Sequence, residues 1–212
     1  MLTEYQKFFT GRPTTEIAQD LLGRPLIYAG PQGKTGGWIV ETEAYLGVDD
    51  TASHAYQGRR TGYTESLYGN PGDIYLYQIR GRYCFDIVVQ DRDNPQGILI
   101  RAIEPGWGKE IMQANRGKQR GFNLTNGPAK LIQALGIGSR DLDGQPMETS
   151  PLHVVLDPAE KRQPKEILTT ARIGVNLNFK NGKSPRRFIV AKNPFVSKIV
   201  RKETDRISRG WG

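Results

Sequence analysis

Two carboxylates, Glu41 and Glu43, alternate with Thr42 and run straight into Tyr45. A strand over residues 36–45, with its period of two, sets Ile39, Glu41, Glu43 and Tyr45 on one face and Trp38, Val40, Thr42 and Ala44 on the other. The second face is the apolar one. Glu43 and Tyr45 are then about 7 Å apart along the strand, a carboxylate beside an aromatic ring. Such a carboxylate can take a proton from water, and such a ring can stack on a flat heterocycle or attract a cation. A solvent-facing strand edge would carry the same pattern.

Other residues could join this pair. The segment Ile74–Ile79 also alternates and puts Tyr75 and Tyr77 on one side. His54 lies in DTASHAY, a polar loop without the surroundings of a core histidine. Arg101 interrupts the apolar run GILIRAIEP. A buried arginine requires a partner, and Glu104 or Asp86 could serve.

These residues need a scaffold, and its pieces are short. Segments 36–45, 74–79, 84–89, 98–103, 152–156 and 187–191 read as strands bounded by Gly, Pro, Asn or Asp, which suits antiparallel pairing. A helix over 14–22 carries Ile17, Ala18, Leu21 and Leu22 and stops at Gly23. A second is expected after Pro128, with Asn126 as its cap and Gly136 past its end, and a third over 107–115. No repeat or long linker divides the chain. The expectation is one α+β domain over 1–212, a mostly antiparallel curved sheet with flanking short helices.

Composition narrows the function. At 37% hydrophobic and 25% charged the chain is not a disordered one, and 25 Gly with 13 Pro argue against a coiled coil. A single cysteine, Cys84, leaves no disulfide framework and no zinc site built on CxxC pairs. No apolar run is long enough to span a membrane, and Glu4 and Lys7 fall where a signal peptide needs apolar residues. An intracellular protein, cytoplasmic or nucleoid if bacterial, and a monomer, is expected.

The net charge of +8 is uneven. Residues 180–212 hold ten Lys or Arg against Glu203 and Asp205, which accounts for the whole excess. Such a segment either grips a phosphate backbone or forms a solvated tail. From Thr35 to Gly58 there is no Lys or Arg, while Glu41, Glu43, Asp49 and Asp50 fall inside. Basic flanks around an acidic pocket would hold a polyanion and receive a cation.

VETEAYLGVDDTASHAYQGRRT, PGDIYLY, GILIRAIEP, LTNGPAKLIQALGI and TTARIGVN followed by RRFIV and PFVS occur in order from about Thr15 to Ser197. This ordered set resembles the alkyladenine (3-methyladenine, or methylpurine) DNA glycosylase family. The resemblance implies a monofunctional glycosylase with its own α/β fold, no helix-hairpin-helix, no metal and no cofactor. It also implies that double-stranded DNA with alkylated purines is the partner. Glu43 would be the general base. Arg101 and the main chain of Ile173 would help hold the water, and Tyr45, His54 and Tyr77 would stack on the extruded base. Tyr75 would be structural. Flipping is needed because the glycosidic bond is out of reach inside the stack. Arg60, Lys130, Arg186 and Arg187 are the candidate contacts to the DNA backbone.

Two departures stand out. Where the family commonly has a tyrosine wedge at a hairpin tip, this chain has QIRGR, and Arg80, or else Arg82, would be the wedge. Where the family has an asparagine that discriminates against guanine, this chain has Asp86, which when ionised accepts hydrogen bonds but cannot donate one. The altered wedge and Asp86 leave open a non-catalytic module that binds damaged or bent nucleic acid.

Overall fold

The computed structural model describes residues 1–212. Eight strands form: β1 (Pro25–Gly30), β2 (Gly33–Tyr45), β3 (Ile74–Ile79), β4 (Arg82–Val89), β5 (Gln96–Trp107), β6 (Leu152–Val154), β7 (Ile167–Thr170) and β8 (Arg187–Val190). All pair antiparallel in one open sheet of order β3-β4-β5-β2-β1-β6, with β8 also on β2 and β7 on β8. The longest strand explains the branching. β1 covers β2 up to Trp38, and β8 takes over at Glu41–Glu43. With four short α-helices, the architecture is the α+β one expected.

The helices are α1 (Glu4–Phe8), α2 (Thr14–Asp20), α3 (Lys109–Asn115) and α4 (Pro128–Leu135). Ile17 and Ala18 of α2 are buried, and Thr42 donates its hydroxyl to the Ala18 carbonyl at 2.9 Å, fixing helix to strand. Proline suits the first turn of α4, since its missing N–H would have no helical partner. Gly136, at φ 86°, ends that helix in the left-handed conformation glycine tolerates. The capping expectation is corrected. Gly127 occupies the N-cap position, and the Asn126 side chain instead accepts from Lys130 Nζ at 2.8 Å. The backbone of Asn126 is held in a bridge to Ala102.

Two bulges in the β2–β5 ladder set the site. Ile39 pairs with Ile103 and Glu41 with Ala102, so Val40 is an extra residue on β2. Glu41 pairs with Ala102 and Thr42 with Ile100, so Arg101 is the extra residue on β5. A bulge bends the strand and re-aims a side chain. Ile39 consequently joins Val40 and Ala44 in the main apolar core, not the face of Glu41 and Glu43 on which strict alternation puts it. Nor is β2 a solvent-facing edge: Glu41, Thr42 and Glu43 are all fully buried. A smaller cluster, including Leu67, Tyr75, Tyr77, Cys84 and Leu99, covers the other side of the sheet.

Candidate active site

Strand register places a row of residues across this second face: Tyr75 pairs with Asp86, Asp86 with Leu99, Leu99 with Glu43, Glu43 with Arg187 and Arg187 with Thr170. Directly opposed residues share a face, and adjacent strands lie about 4.8 Å apart. Asp86 and Glu43, two strands apart, therefore stand about 10 Å apart at their backbones. Above the row opens a cavity of about 600 Å³, lined by Tyr45, His54, Tyr75, Tyr77, Arg80, Arg82, Asp86, Arg101, Ile173 and Phe179 among others. That volume is in the range of small-molecule sites.

Glu43 lies immediately behind this wall, at 0% exposure. Its Oε1 accepts the Ile173 backbone N–H at 2.7 Å. Its Oε2 accepts from the Tyr45 hydroxyl at 2.9 Å and from Arg101 Nη1 at 3.2 Å. Tyr45, Arg101 and Ile173 all line the cavity, so the carboxylate is held by the groups that separate it from the interior. Burial raises the Glu43 carboxyl above its ordinary value, against the opposing pull of Arg101, the Ile173 N–H and Tyr45. A carboxylate tuned upward is a better proton acceptor.

Arg101 finds neither Glu104 nor Asp86. Its bulge turns it to Glu41, with Nε to Oε1 at 2.8 Å, as well as to Glu43. Glu104 is instead occupied by Arg162, Asn193, Arg209 and Trp211. Glu41 also takes the Ser197 N–H and hydroxyl, each at 2.7 Å, and Arg187 Nε at 2.7 Å. Asp50 receives Arg172 through both of its oxygens, at 2.6 and 2.9 Å, and lies 3.0 Å from Arg186. Arg172 also spreads over the Tyr45 ring at 4.6 Å and so fixes both that ring and the neighbouring Ile173. The expected acidic pocket is thus corrected: Glu41, Glu43 and Asp50 are matched by arginines contributed from β5, β8 and residues 172 and 186. Local sequence gave no sign of Glu41, Ser197, Asp50 or Arg172 as supports, since their partners are distant in the chain.

The aromatic candidates do converge. Tyr75 and Tyr77 stack with centroids 4.8 Å apart, and His54 meets Tyr77 edge-on at 4.8 Å. His54 Nδ1 and the Tyr75 hydroxyl are 2.9 Å apart. Burial, then Arg59, lowers the His54 pKa from its ordinary value, which keeps the ring neutral at pH 7 and spares a cationic guest repulsion. The Tyr77 hydroxyl donates to Asp86 Oδ1 at 2.9 Å, while Oδ2 of Asp86 has no protein donor. Asp86 is the one carboxyl among the cavity-lining side chains. Burial, with a smaller contribution from Glu43 and against the Tyr77 hydrogen bond, raises its pKa from 3.8 to about 7. A carboxyl raised this far is part acid and part carboxylate near neutrality.

The outer cations divide. Arg80 and Gly81 form the two-residue turn between β3 and β4, both with positive φ (52° and 75°), as a type I′ hairpin requires. Arg80 and Arg82 are exposed and line the cavity mouth, with Ile79 48% exposed beside them. Arg187 is buried on Glu41, Thr170 and the Ser197 carbonyl and cannot face a phosphate, which corrects that expectation. Arg186 is drawn to Asp50, and Arg60 is exposed but paired with Glu65 and Asp93. Lys130 is half-buried on Asn126. No group of three His, Cys, Asp or Glu converges as a metal site.

Comparison with known proteins agrees with the motifs. Residues 7–194 match the family described as methylpurine-DNA glycosylase. A protein of Latilactobacillus sakei subsp. sakei, named as a 3-methyladenine DNA glycosylase, is 53% identical over 204 residues, 96% of this chain and 95% of that protein. One of Lactobacillus delbrueckii subsp. bulgaricus with the same name is 50% identical over 201 residues, 94% of this chain and 96% of its own. One of Enterococcus faecalis, again so named, is 41% identical over 210 residues, 99% of this chain and 90% of its own.

Proposed function

The chain belongs to the methylpurine-DNA glycosylase family, and from that premise we propose that it releases alkylated purines of the 3-methyladenine type from double-stranded DNA and leaves an abasic site. It is a hydrolase of N-glycosyl bonds. The whole chain, 1–212, acts as one glycosylase domain. No helix is long and apolar enough to cross a membrane.

One observation carries the reading: a buried carboxylate, Glu43, oriented by three donors directly behind an aromatic cavity that fits a single base. A purine swung out of the duplex enters between Tyr45, Tyr77 and His54, whose faces and neutral charge favour a flat cation. Positive charge on an alkylated purine already makes it a good leaving group, so the remaining task is to bring water to the sugar carbon. Glu43 takes that water's proton and its charge stabilises the developing oxocarbenium ion. For this, Tyr45 or Arg101 yields its bond to Oε2, which opens the wall at the carboxylate. Arg80, at the hairpin tip, fills the space vacated by the base.

Asp86 supports a second carboxyl role. Being the carboxyl that directly lines the cavity, in its protonated form it offers the purine a hydrogen bond through Oδ2, and in its ionised form a counter-charge. The test compares Glu43→Gln with Asp86→Asn on one lesion duplex. Glu43→Gln should lose at least about a hundredfold in single-turnover base release while keeping its affinity for lesion DNA. Loss of release in Asp86→Asn with retention in Glu43→Gln would exchange the two roles. A parent protein that binds the duplex and releases no base would make it a binding module.

A further inference from the structure

The basic C-terminal third is partly consumed inside the protein, where Arg186, Arg187 and Arg209 hold Asp50, Glu41 and Glu104. A different set remains free. Arg120, Lys198, Arg201 and Arg206 line one cleft of about 270 Å³, whose other walls are amide, hydroxyl and apolar side chains with no Asp or Glu among them. The side chains of the four make no ion pair and no hydrogen bond, and the Arg201 carbonyl accepts from the Thr204 hydroxyl. In the chain, Asp205 is next to Arg206, but its carboxylate is taken up by the backbone N–H groups of Ile207 and Ser208.

The cleft adjoins the catalytic cluster on two sides. Ser197, which binds Glu41 and Arg101, is followed directly by Lys198, whose backbone takes the left-handed conformation at φ 54°. Asn126 lines the cleft, and two residues on, Pro128 lines the base cavity. Between them runs a line of cations. Lys130 bonds Asn126, and Arg116 and Arg82 line one neighbouring cleft together, with each charge disfavouring the next beyond the effect of burial. Arg82 reaches the cavity mouth beside the hairpin tip. Positive charge without a carboxylate partner therefore continues from the hairpin, across the start of α4, into the cleft.

We propose that this cleft is a second anchor for the phosphodiester backbone of DNA, outside the base cavity, so that a duplex engaged at the hairpin is also held by the C-terminal segment. The inference rests on the DNA glycosylase reading above. Lys198, Arg201 and Arg206 lie beyond residues 7–194, the part matched to the family model, and within the length aligned with the Enterococcus faecalis relative, which covers 99% of this chain. The shape favours phosphate over base: the cleft has no stacked aromatic pair, and guanidinium groups bind phosphate oxygens through paired N–H donors.

The test uses the full chain and an undamaged duplex, since phosphate contacts are indifferent to damage. Arg201→Gln with Arg206→Gln, and separately Lys198→Gly, which suits the left-handed backbone, are titrated at several salt concentrations. The thermal unfolding midpoint checks that each variant is folded. The slope of log affinity against log salt should become shallower by about one to two for the double variant and by about one for Lys198→Gly. Unchanged slopes in folded variants overturn the anchor. So does binding of inorganic phosphate by the parent that both variants lose while their DNA slopes stay the same, which would make the cleft a small-anion site. Base release from alkylated duplex is scored separately, and its absence in the parent overturns the glycosylase reading alone.

Discussion

Replacing Asp86 by asparagine removes a titrating group from the wall of the cavity without changing its shape. In the folded protein the carboxyl is raised from 3.8 to about 7, mainly by burial, with Glu43 adding repulsion and the Tyr77 hydroxyl opposing. Tyr45, Tyr75, Tyr77 and Cys84 also face its charge, and each has its own pKa pushed upward, so none ionises near neutrality. A raised carboxyl pKa means that the native state binds the proton more tightly than the unfolded chain does. Stability is therefore lost as pH climbs from about 4, and the loss levels off above about 7. At about 1.4 kcal/mol per pKa unit, the full penalty is about 4 kcal/mol, roughly 2 of it already present at pH 5. Asp86→Asn lacks this penalty. Urea unfolding of both proteins between pH 5 and pH 8 should show the variant's advantage widening by about 2–3 kcal/mol. Groups that do not face Asp86 titrate alike in the two proteins and cancel. Parallel stability curves across that interval would refute the argument and return Asp86 to an ordinary, ionised carboxylate.

The same proton should tune lesion choice. In the parent, the ratio of single-turnover rates on cationic 7-methylguanine and neutral hypoxanthine should rise as pH passes through about 7, because the carboxylate then attracts the cation. In Asp86→Asn the ratio should stay flat, and a rise there too would assign it to another group. Arg187→Ala should destabilise the fold by about 3–5 kcal/mol in urea unfolding, since Glu41 loses a buried partner, and leave the salt slope of DNA binding unchanged. A shallower slope with little stability loss would mean that Arg187 faces DNA after all. Tyr45→Phe removes a donor to the ionised Glu43, so the acid limb of the pH–rate profile should move to higher pH. A profile unmoved, or moved down, would detach Tyr45 from the base.

Some of this site was legible because its signals are local. The period of two in 36–45 and 74–79 placed Glu43 beside Tyr45, and Tyr75 beside Tyr77, without knowledge of the fold. Arg101 was recognisable as a cation in a buried strand, yet its partners were not, because a bulge at Arg101 itself decides which way it points. Bulges leave little trace in alternation when both faces are buried. Arg186 and Arg187 read as surface charge because the carboxylates that claim them, Asp50 and Glu41, lie more than a hundred residues earlier. Ile173 contributes a backbone N–H, which no side-chain pattern encodes, and only the family resemblance pointed to it. β7 escaped notice as a four-residue strand with two exposed positions, and α1 as a helix with no buried residue.

The supports of Glu43 come from far along the chain: the Ile173 N–H lies 130 residues after it, and Ser197 lies 156 residues after Glu41. At the ~5–20 residues per second of translation, roughly 8–30 seconds separate the emergence of the acidic strand from that of its last partner. During that interval the ribosome-bound chain presents Glu41 and Glu43 without Arg187, Ser197 or the Ile173 donor. It has neither the oriented Glu43 carboxylate nor the closed cluster. The cluster around Glu43 thus closes only after residue 197 has been made, and under the proposed reading a product lacking residues beyond 170 releases no base.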